Sequence, residues 1–364
     1  MTLNDLSIFL EQLAPLAYQE DYDNAGLIVG NPQQEISKAL ISLDCTEAVV
    51  DEAIAAGANL IISHHPIVFK GMKRFNGNSY VERVVMKAIK HDIALYAIHT
   101  NLDSVSDGVN AKICDKLGLV NRSILSPKQG KLKKLVTFCP TAQADDVRNA
   151  LFSAGAGHIG NYSECSFNSD GTGTFKGDSS TNPFAGTPGE LQLEAELRIE
   201  TIFPSHLEGK VISALLKAHP YEEVAYDIYA LNNSFSTVGS GMVAELEEAM
   251  NTLDFLAQLK QTMGAGVVKY TDIVKSKVKK IAVCGGAGGF LLKDAIRAGA
   301  DVFVTADYKY HEFFDADGKI VIADIGHFES EQFTSELLLE KLSEKFPTFA
   351  VLLSRVKTNP VNYL

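Results

Sequence analysis

Two adjacent histidines end a branched apolar run, Leu60-Ile61-Ile62-Ser63-His64-His65-Pro66. Buried parallel strands read as continuous apolar runs, and open α/β sheets carry their chemistry at the carboxyl ends of strands. Imidazoles delivered there point to metal ligation. Successive side chains on a strand face opposite ways, so His64 and His65 suit two neighbouring ions better than one shared ion, unless the strand is ending.

Further donors stand at other strand ends. His99-Thr100-Asn101-Leu102-Asp103 follows the run Ile93–Ile98, and Gly326-His327-Phe328-Glu329-Ser330-Glu331 precedes an amphipathic helix with Phe333, Leu337, Leu338 and Leu342 on its apolar face. His327 and Glu331 are four residues apart and share one face of the first turn. The helix dipole favours a carboxylate there, and a carboxylate can bridge two cations. His64, His65, Asp103, His327 and Glu331 form a nitrogen and oxygen donor set without thiolate, which fits Zn²⁺, Mn²⁺, Fe²⁺ or Co²⁺ and leaves room for water. Two such ions polarise a substrate oxygen and generate hydroxide near neutral pH. Glu329 is the weaker alternative to Glu331, and Asp324 is expected to pack or cap. His99 is expected either to line the site as an acid/base helper or to serve as a hydrogen-bonded structural residue.

The elements that must position these residues follow a repeated pattern. Ala53-Ile54-Ala55-Ala56-Gly57-Ala58-Asn59-Leu60-Ile61-Ile62-Ser63 aligns without gaps on Ala295-Ile296-Arg297-Ala298-Gly299-Ala300-Asp301-Val302-Phe303-Val304-Thr305. The same register sets Ala39–Leu43 on Ile281–Gly285. Each copy reads strand, helix, Gly-closed turn, strand, then a further strand with a histidine at its end, His99 in one and His327 in the other. Gly57 and Gly299 fit helix C-caps, where a residue without Cβ takes the left-handed conformation cheaply. The expected fold is α/β: two pseudo-twofold-related halves with parallel strands and helical crossovers, forming one domain across a shared cleft. In this register Asp307 matches His65 and should face the cleft. His311 and Lys309 either contact an anionic substrate as helpers or sit on a solvated loop. The run Gly285–Gly289 reads as a tight turn between strand and helix. It lacks GxGxxG spacing and a following Walker lysine, so it is a poor phosphate cradle. His91, His158, His206 and His219 show no ligand partners.

Between the halves lies a segment of different character. It reads strand (Leu135–Cys139), helix (Ala144–Ala154), strand (Tyr162–Asn168), a mobile Gly/Ser/Thr/Pro-rich loop (170–189), strand (Gln192–Ile202), helix (Leu207–Ala218) and strand (Ala225–Leu231). That is a ferredoxin-like order in an α+β insert. The expected divisions are residues 1–128 for the first half, 129–235 for the insert and 236–364 for the second half.

Composition sets the outer limits. The chain has 364 residues, 46% hydrophobic and 21% charged, ordinary for a globular protein of two or three domains. Its net charge of −12, without Lys/Arg runs, argues against nucleic acid or an anionic membrane surface as partner. An anionic small substrate stays open, because a bound cation inverts the local field. No apolar stretch spans a bilayer and no signal peptide opens the chain, so a cytoplasmic protein is expected. The five cysteines are scattered, lack a CxxC, and read as reduced, packed thiols.

Taken together, Tyr22-Asp23-Asn24-Ala25-Gly26-Leu27, Ser63-His64-His65-Pro66, His99-Thr100-Asn101-Leu102-Asp103 and Gly326-His327-x3-Glu331 resemble the GTP cyclohydrolase I type 2 homologues, also called the NGG-interacting-factor-three-like family. The middle segment, with His219-Pro220-Tyr221-Glu222-Glu223-Val224-Ala225-Tyr226-Asp227, is similar to the PII/CutA-like insert of longer bacterial members. The resemblance implies two divalent metal ions per subunit, Zn²⁺ first, with His64 and Asp103 on one ion, His65 and His327 on the other, and Glu331 bridging. It also implies a toroidal homohexamer. Tyr22 departs from the pattern, where members often carry Trp, and the change is conservative.

The activity implied is that of a metal-dependent hydrolase acting on a small molecule such as GTP, in which a metal-activated water attacks C8 of the guanine, opens the ring and releases formate. Two other readings stand beside it. One is a metal-dependent phosphoesterase, although the chain lacks a DHH triplet. The other is a metal-binding regulatory or chaperone assembly that catalyses nothing. A nucleotide-binding module built on Gly285–Gly289 ranks last.

Overall fold

The run that delivers the two histidines is a four-residue strand, Leu60–Ser63, buried along its whole length. It lies at the centre of a five-stranded sheet in the order Gly26–Val29, Ala94–Ala97, Leu60–Ser63, Lys38–Ser42, Ala350–Leu353. Full burial on both faces is what a continuous Val/Ile/Leu run requires. The computed structural model describes residues 1–364 and separates them into two compact units, Met1–Ser126 with Thr237–Leu364, and Pro127–Ser236.

The first unit holds a second sheet of six strands, in the order Lys269–Tyr270, Val321–Asp324, Val302–Ala306, Lys277–Ala287, Phe235–Asn251, Val120–Lys128. The inner strands of both sheets are parallel. The pairings of Gly26–Val29 on Ala94–Ala97, Lys269–Tyr270 on Val321–Asp324, and Phe235–Asn251 on Lys277–Ala287 are antiparallel. The sheets are therefore mixed, not wholly parallel as the alternating pattern implied. An antiparallel edge on a parallel centre is a common arrangement.

The two sheets repeat one set of contacts. Ala39 pairs with Leu60 as Ile281 pairs with Val302, and Ser42 pairs with Ser63. Gly57 closes the helix Glu47–Ala56 with φ of 64°, and Gly299 takes φ of 73° after the helix Leu292–Arg297. In both turns the next amide reaches back to the final helical turn, Ala58 to Ala53 and Ala300 to Ala295. Lys38 Nζ donates to the Ala56 carbonyl, and Lys280 Nζ donates to the Ala298 carbonyl. Asn59 Oδ1 accepts from the Ser37 amide at 3.0 Å, while Asp301 Oδ2 accepts from the Lys279 amide at 2.8 Å. These side chains supply orphan carbonyls and amides at the helix and strand ends with partners.

The third strands show one correction. Ser63 pairs with Ala97 and Thr305 with Asp324. Three residues beyond those positions come Thr100 and His327, the first residues of the short helices Thr100–Asp103 and His327–Glu331. His99 and His327 are thus one residue out of step and are not counterparts. A second correction concerns the amphipathic helix at His327. It is two helices, His327–Glu331 and Thr334–Lys345. At the break the Gln332 side chain turns away from the helix, and its Nε2 donates to the Met263 carbonyl at 2.8 Å.

The second unit, Pro127–Ser236, is a four-stranded antiparallel sheet in the order Phe167–Phe175, Gln192–Pro204, Leu132–Pro140, Tyr226–Leu231. Helices Ala144–Ser153 and Glu208–Ala218 cover one face, with Leu135, Cys139, Val147, Ile199 and Leu215 between. The strand expected at Tyr162–Asn168 runs instead over Phe167–Phe175, so Asp170–Phe175 is strand and not loop. Its glycines misled the reading: Gly171 and Gly173 lie in the ladder opposite Glu196 and Glu194. Glycine inside a strand often marks close approach of another group, and a Cβ on Gly173 would collide with the Glu196 carboxylate.

All five cysteines are free thiols, four of them buried. No helix is long and apolar enough to cross a membrane.

Candidate metal centre

His64 follows directly on its strand and is wholly buried. Its Nδ1 lies 2.8 Å from the Ile98 carbonyl oxygen. A carbonyl only accepts, so Nδ1 carries the proton and donates. Burial holds the ring's pKa below its ordinary value, against the pull of Glu331, and so favours the neutral form. The bare Nε2 is then a buried lone pair with no hydrogen-bond donor. Asp103 Oδ1 is also buried and unpartnered. It lies 3.7 Å from His64 Nε2, and Glu331 Oε1 lies 3.8 Å from the same nitrogen. Both separations are too long for hydrogen bonds. They approach the roughly 3.4 Å between two donors that each hold one cation at about 2.1 Å in tetrahedral geometry.

The other oxygen of Glu331 faces a second group. Oε2 stands 2.9 Å from His65 Nε2 and 3.1 Å from His327 Nε2, and the two nitrogens are 3.3 Å apart. Glu331 is buried, with one oxygen toward His64 and Asp103 and the other toward His65 and His327. Three groups here have donor atoms close enough to share an ion: His64, Asp103 and Glu331; His65, His327 and Glu331; and His64, His65 and His99. His99, read from sequence as helper or structural residue, therefore lies among the donors themselves. Its ring centroid is 5.2 Å from that of His64 and 5.4 Å from that of His65.

Each imidazole that offers Nε2 is held at Nδ1. Asp44 Oδ1 accepts from His65 at 2.8 Å, Asp307 Oδ2 from His327 at 2.7 Å and Asp23 Oδ1 from His99 at 2.7 Å. Carboxylates behind ligating histidines fix the tautomer and ring plane and raise ligand basicity. Asp307 was expected at the cleft by its match to His65. Asp44 was not singled out in the sequence, and Asp23 only as part of a motif, because nothing in their spacing tied them to a histidine. Thr358 Oγ1 donates to the far oxygen of Asp44 at 2.5 Å.

The charges follow from these contacts. Burial opposes charge on His65, but the carboxylates of Asp44 and Glu331 outweigh it and raise its pKa to about 10. His327 is likewise raised to about 9, by Glu331 and Asp307 against burial. Glu331, despite burial, is held well below the ordinary carboxylate range by the hydrogen-bonded rings of His327 and His65. Asp103 moves the other way, raised by burial and then by the Glu331 charge. Burial also opposes charge on Asp23, yet bonds from His99 and Thr100 bring it to about 2.

Gly286 is part of the construction. Its φ is +62°, and a Cβ there would stand 2.5 Å from Glu331 Oε1 and 3.3 Å from His327 Cε1. The run Gly285–Gly289 is not free to cradle an anion, because its amides are used inside the protein: Gly285 donates to Asn110 Oδ1, Gly286 to Ser330 Oγ and Gly288 to Thr305 Oγ1. The strand Lys277–Ala287 runs through its first three residues.

A cavity of about 810 Å³ opens beside the centre, lined in part by His65, His99, Asp307, His327, Phe69 and Tyr363. Glu329 lines it but points elsewhere than Glu331, accepting from Asn359 Nδ2 at 3.0 Å. Asp324 is buried, accepts from the Tyr308 and Gly326 amides and pairs with Lys269 at 2.6 Å. Neither His311 nor Lys309 is among the residues lining this cavity. His311 lies in the helical turn Tyr310–Ala316 and packs its ring on Tyr310, and Lys309 Nζ sits 3.5 Å from Glu312. Tyr22 is exposed, with its ring 6.1 Å from Phe69.

Comparison with known proteins places the chain. The family described as Duf34/NIF3 (NGG1p interacting factor 3) matches residues 1–360. A GTP cyclohydrolase 1 type 2 homolog of Halalkalibacterium halodurans is 42% identical over 360 residues, covering 97% of this chain and 96% of that protein. The protein of the same name from Bacillus subtilis is 40% identical over 361 residues, covering 97% and 96%. The crystal structure of a Bacillus cereus protein related to NIF3 matches with a TM-score of 0.86 at 39% identity, covering 100% of this chain and 99% of that one. From its sequence and its fold, then, this chain belongs to the Duf34/NIF3 family.

Proposed function

We propose that the chain is a dinuclear metal-dependent hydrolase whose substrate is a small molecule of the purine nucleotide class. One observation carries the reading: Glu331 turns one oxygen toward His64 and Asp103 and the other toward His65 and His327, with His64 Nε2 and Asp103 Oδ1 buried and unpartnered. Unpaired buried polar atoms are costly, and a cation between them removes the cost. In this reading His64 and Asp103 hold one ion, His65 and His327 the other, and Glu331 bridges. Asp23, Asp44 and Asp307 orient the rings. The nitrogen and oxygen donors suit Zn²⁺ first and admit Mn²⁺, Fe²⁺ or Co²⁺.

Divalent ions so held supply Lewis acidity and lower the pKa of a bound water toward neutrality. The protein's own residues do the rest. His99 reaches the cavity with Nδ1 fixed by Asp23, placed to pass a proton through its other nitrogen. Phe69 and Tyr363 offer flat surfaces against which a purine can stack. The GTP-like substrate follows from the names of the relatives, and the homohexamer and cytoplasmic location from resemblance.

Within this reading the outer parts of the chain are pseudo-twofold-related halves, supported by the repeated contacts of Lys38 and Lys280 and of Asn59 and Asp301. Residues 129–235 form a ferredoxin-like, PII/CutA-like insert, supported by the strand order of its sheet.

A non-catalytic metal-binding regulator is favoured by one feature. Lys269 is the one Lys or Arg lining the cavity, and it is paired to Asp324. A polyphosphate then depends on the metal ions for its countercharge. The test is metal analysis of protein purified without added metal, then formate and phosphate release from a nucleotide panel with that metal loaded. Formate release lost in Glu331→Gln supports the cyclohydrolase-like reading. Phosphate release moves the assignment to a phosphoesterase. Stoichiometric metal without turnover moves it to the regulator.

A further inference from the structure

We propose that the unit Pro127–Ser236 carries a second ligand site, taking a small organic cation: an ammonium or guanidinium on an apolar body. A cavity of about 840 Å³ lies wholly within this unit. Side chains alternate across a strand. Leu135, Cys139 and Ile199 face the two helices, so Phe138, Glu196 and Arg198 face the other side of the sheet, where the cavity lies. Its floor is glycine. Gly171 stands opposite Glu196 with open space where a side chain would project, and Gly173, opposite Glu194, lies beneath the Glu196 carboxylate.

Glu196 gives the site its sign. The residue is only 8% exposed, yet it lines the cavity. Its one hydrogen bond comes from the Tyr221 hydroxyl to Oε1 at 2.7 Å. Oε2 lies over Gly173 and accepts nothing from the protein. With a single neutral donor on Oε1 and Oε2 open to the cavity, this mostly buried carboxylate keeps an acceptor that a cation engages. Arg198 does not, because its guanidinium is paired with Glu200 at 2.8 Å. The remaining charged lining is acidic in excess, with Asp170, Asp178, Glu222 and Glu223 against Lys176.

Aromatic rings supply the rest. Phe175 and Phe184 pack around Tyr221 with centroid distances of 5.7 Å and 6.2 Å. Ring faces attract cations and accept apolar bodies. The segment bearing Phe184 is tied down where the Asn182 amide donates to Glu222 at 3.0 Å. The rings and a mostly buried carboxylate short of donors together favour an organic cation over a hydrated metal ion or an anion.

The test uses the full chain, metal-loaded, with phenethylammonium as probe and 2-phenylethanol as its neutral counterpart, read by titration calorimetry. The ammonium is expected to bind at least tenfold more tightly than the alcohol, and Glu196→Gln to cost at least tenfold. Gly171→Val fills the floor: a Cβ there meets nothing nearer than 3.9 Å, so the fold accepts it while the ligand does not. It should abolish binding with unchanged melting temperature and metal content. Equal binding of ammonium and alcohol overturns the proposal. So does no ammonium binding at millimolar ligand, or full affinity in folded Gly171→Val.

Discussion

Asp44 sets the ring of His65. Its Oδ1 accepts a hydrogen bond from Nδ1 at 2.8 Å and leaves Nε2 at 2.9 Å from Glu331. Asp44→Ala frees the ring to rotate and makes Nε2 a weaker base. Such outer partners are worth about 10–100-fold in metal affinity. For the proposed two-ion centre, chelator competition should show that loss at one ion only, with the ion assigned to His64 and Asp103 nearly unchanged. Equal loss at both would mean that Asp44 acts on the whole fold.

Gly286→Ala sets a methyl group against Glu331 Oε1 and demands a positive φ of a residue with a Cβ. The backbone term is about 1–2 kcal/mol. Metal affinity should fall as well, because the carboxylate must move. Denaturation of the metal-free protein reads the first effect and chelator competition the second. Lowered stability with unchanged affinity would show that Glu331 has freedom to give way.

Metal loading should depend steeply on pH. In the metal-free protein the pKa of His65 is raised to about 10 and that of His327 to about 9, so both are protonated at neutrality. Ligation requires neutral imidazoles, so binding releases these protons and affinity rises with pH. Stability of the metal-free protein moves oppositely. A raised folded pKa stabilises fully below the unfolded value near 6.5, and that contribution is lost as pH rises through 9 to 10. Zinc titrations at pH 6, 7 and 8 check the first sign, and urea melts from pH 6 to 10 the second.

Asn59→Ala removes bonds that tie a strand entrance to a helix exit: Oδ1 accepts from the Ser37 amide, and Nδ2 donates to the Glu35 carbonyl at 2.8 Å. The loss should be about 1–3 kcal/mol in urea denaturation. Metal affinity should not change, because Asn59 stands at the opposite end of the strand from His64.

Position along a strand was legible in the sequence wherever one residue type carries one physical demand. Apolar runs located Leu60–Ser63, Ala94–Ala97, Val302–Ala306 and Val321–Asp324, and the glycine after each helix located the turns at Gly57 and Gly299. The same logic brought His64, His65, Asp103, His327 and Glu331 to one place. It failed where a demand comes from a distant segment. Asp44 and Asp23 matter because of rings far along the chain, and no local spacing reports that. Gly286 looked like turn chemistry, whereas Glu331 takes the space of its side chain. The ladder glycines of Phe167–Phe175 carried a loop's composition into a strand, and what Gly173 accommodates is the Glu196 carboxylate.

The contact from Thr358 to Asp44 gives the centre a place in time. A chain emerging from the ribosome presents His64, His65 and Asp103 long before His327, Glu331 and Thr358. Until those late residues arrive, the early donors lack half of the cluster. Glu331 and the hydroxyl behind Asp44 come last, so the cluster is complete only once both ends of the chain are made.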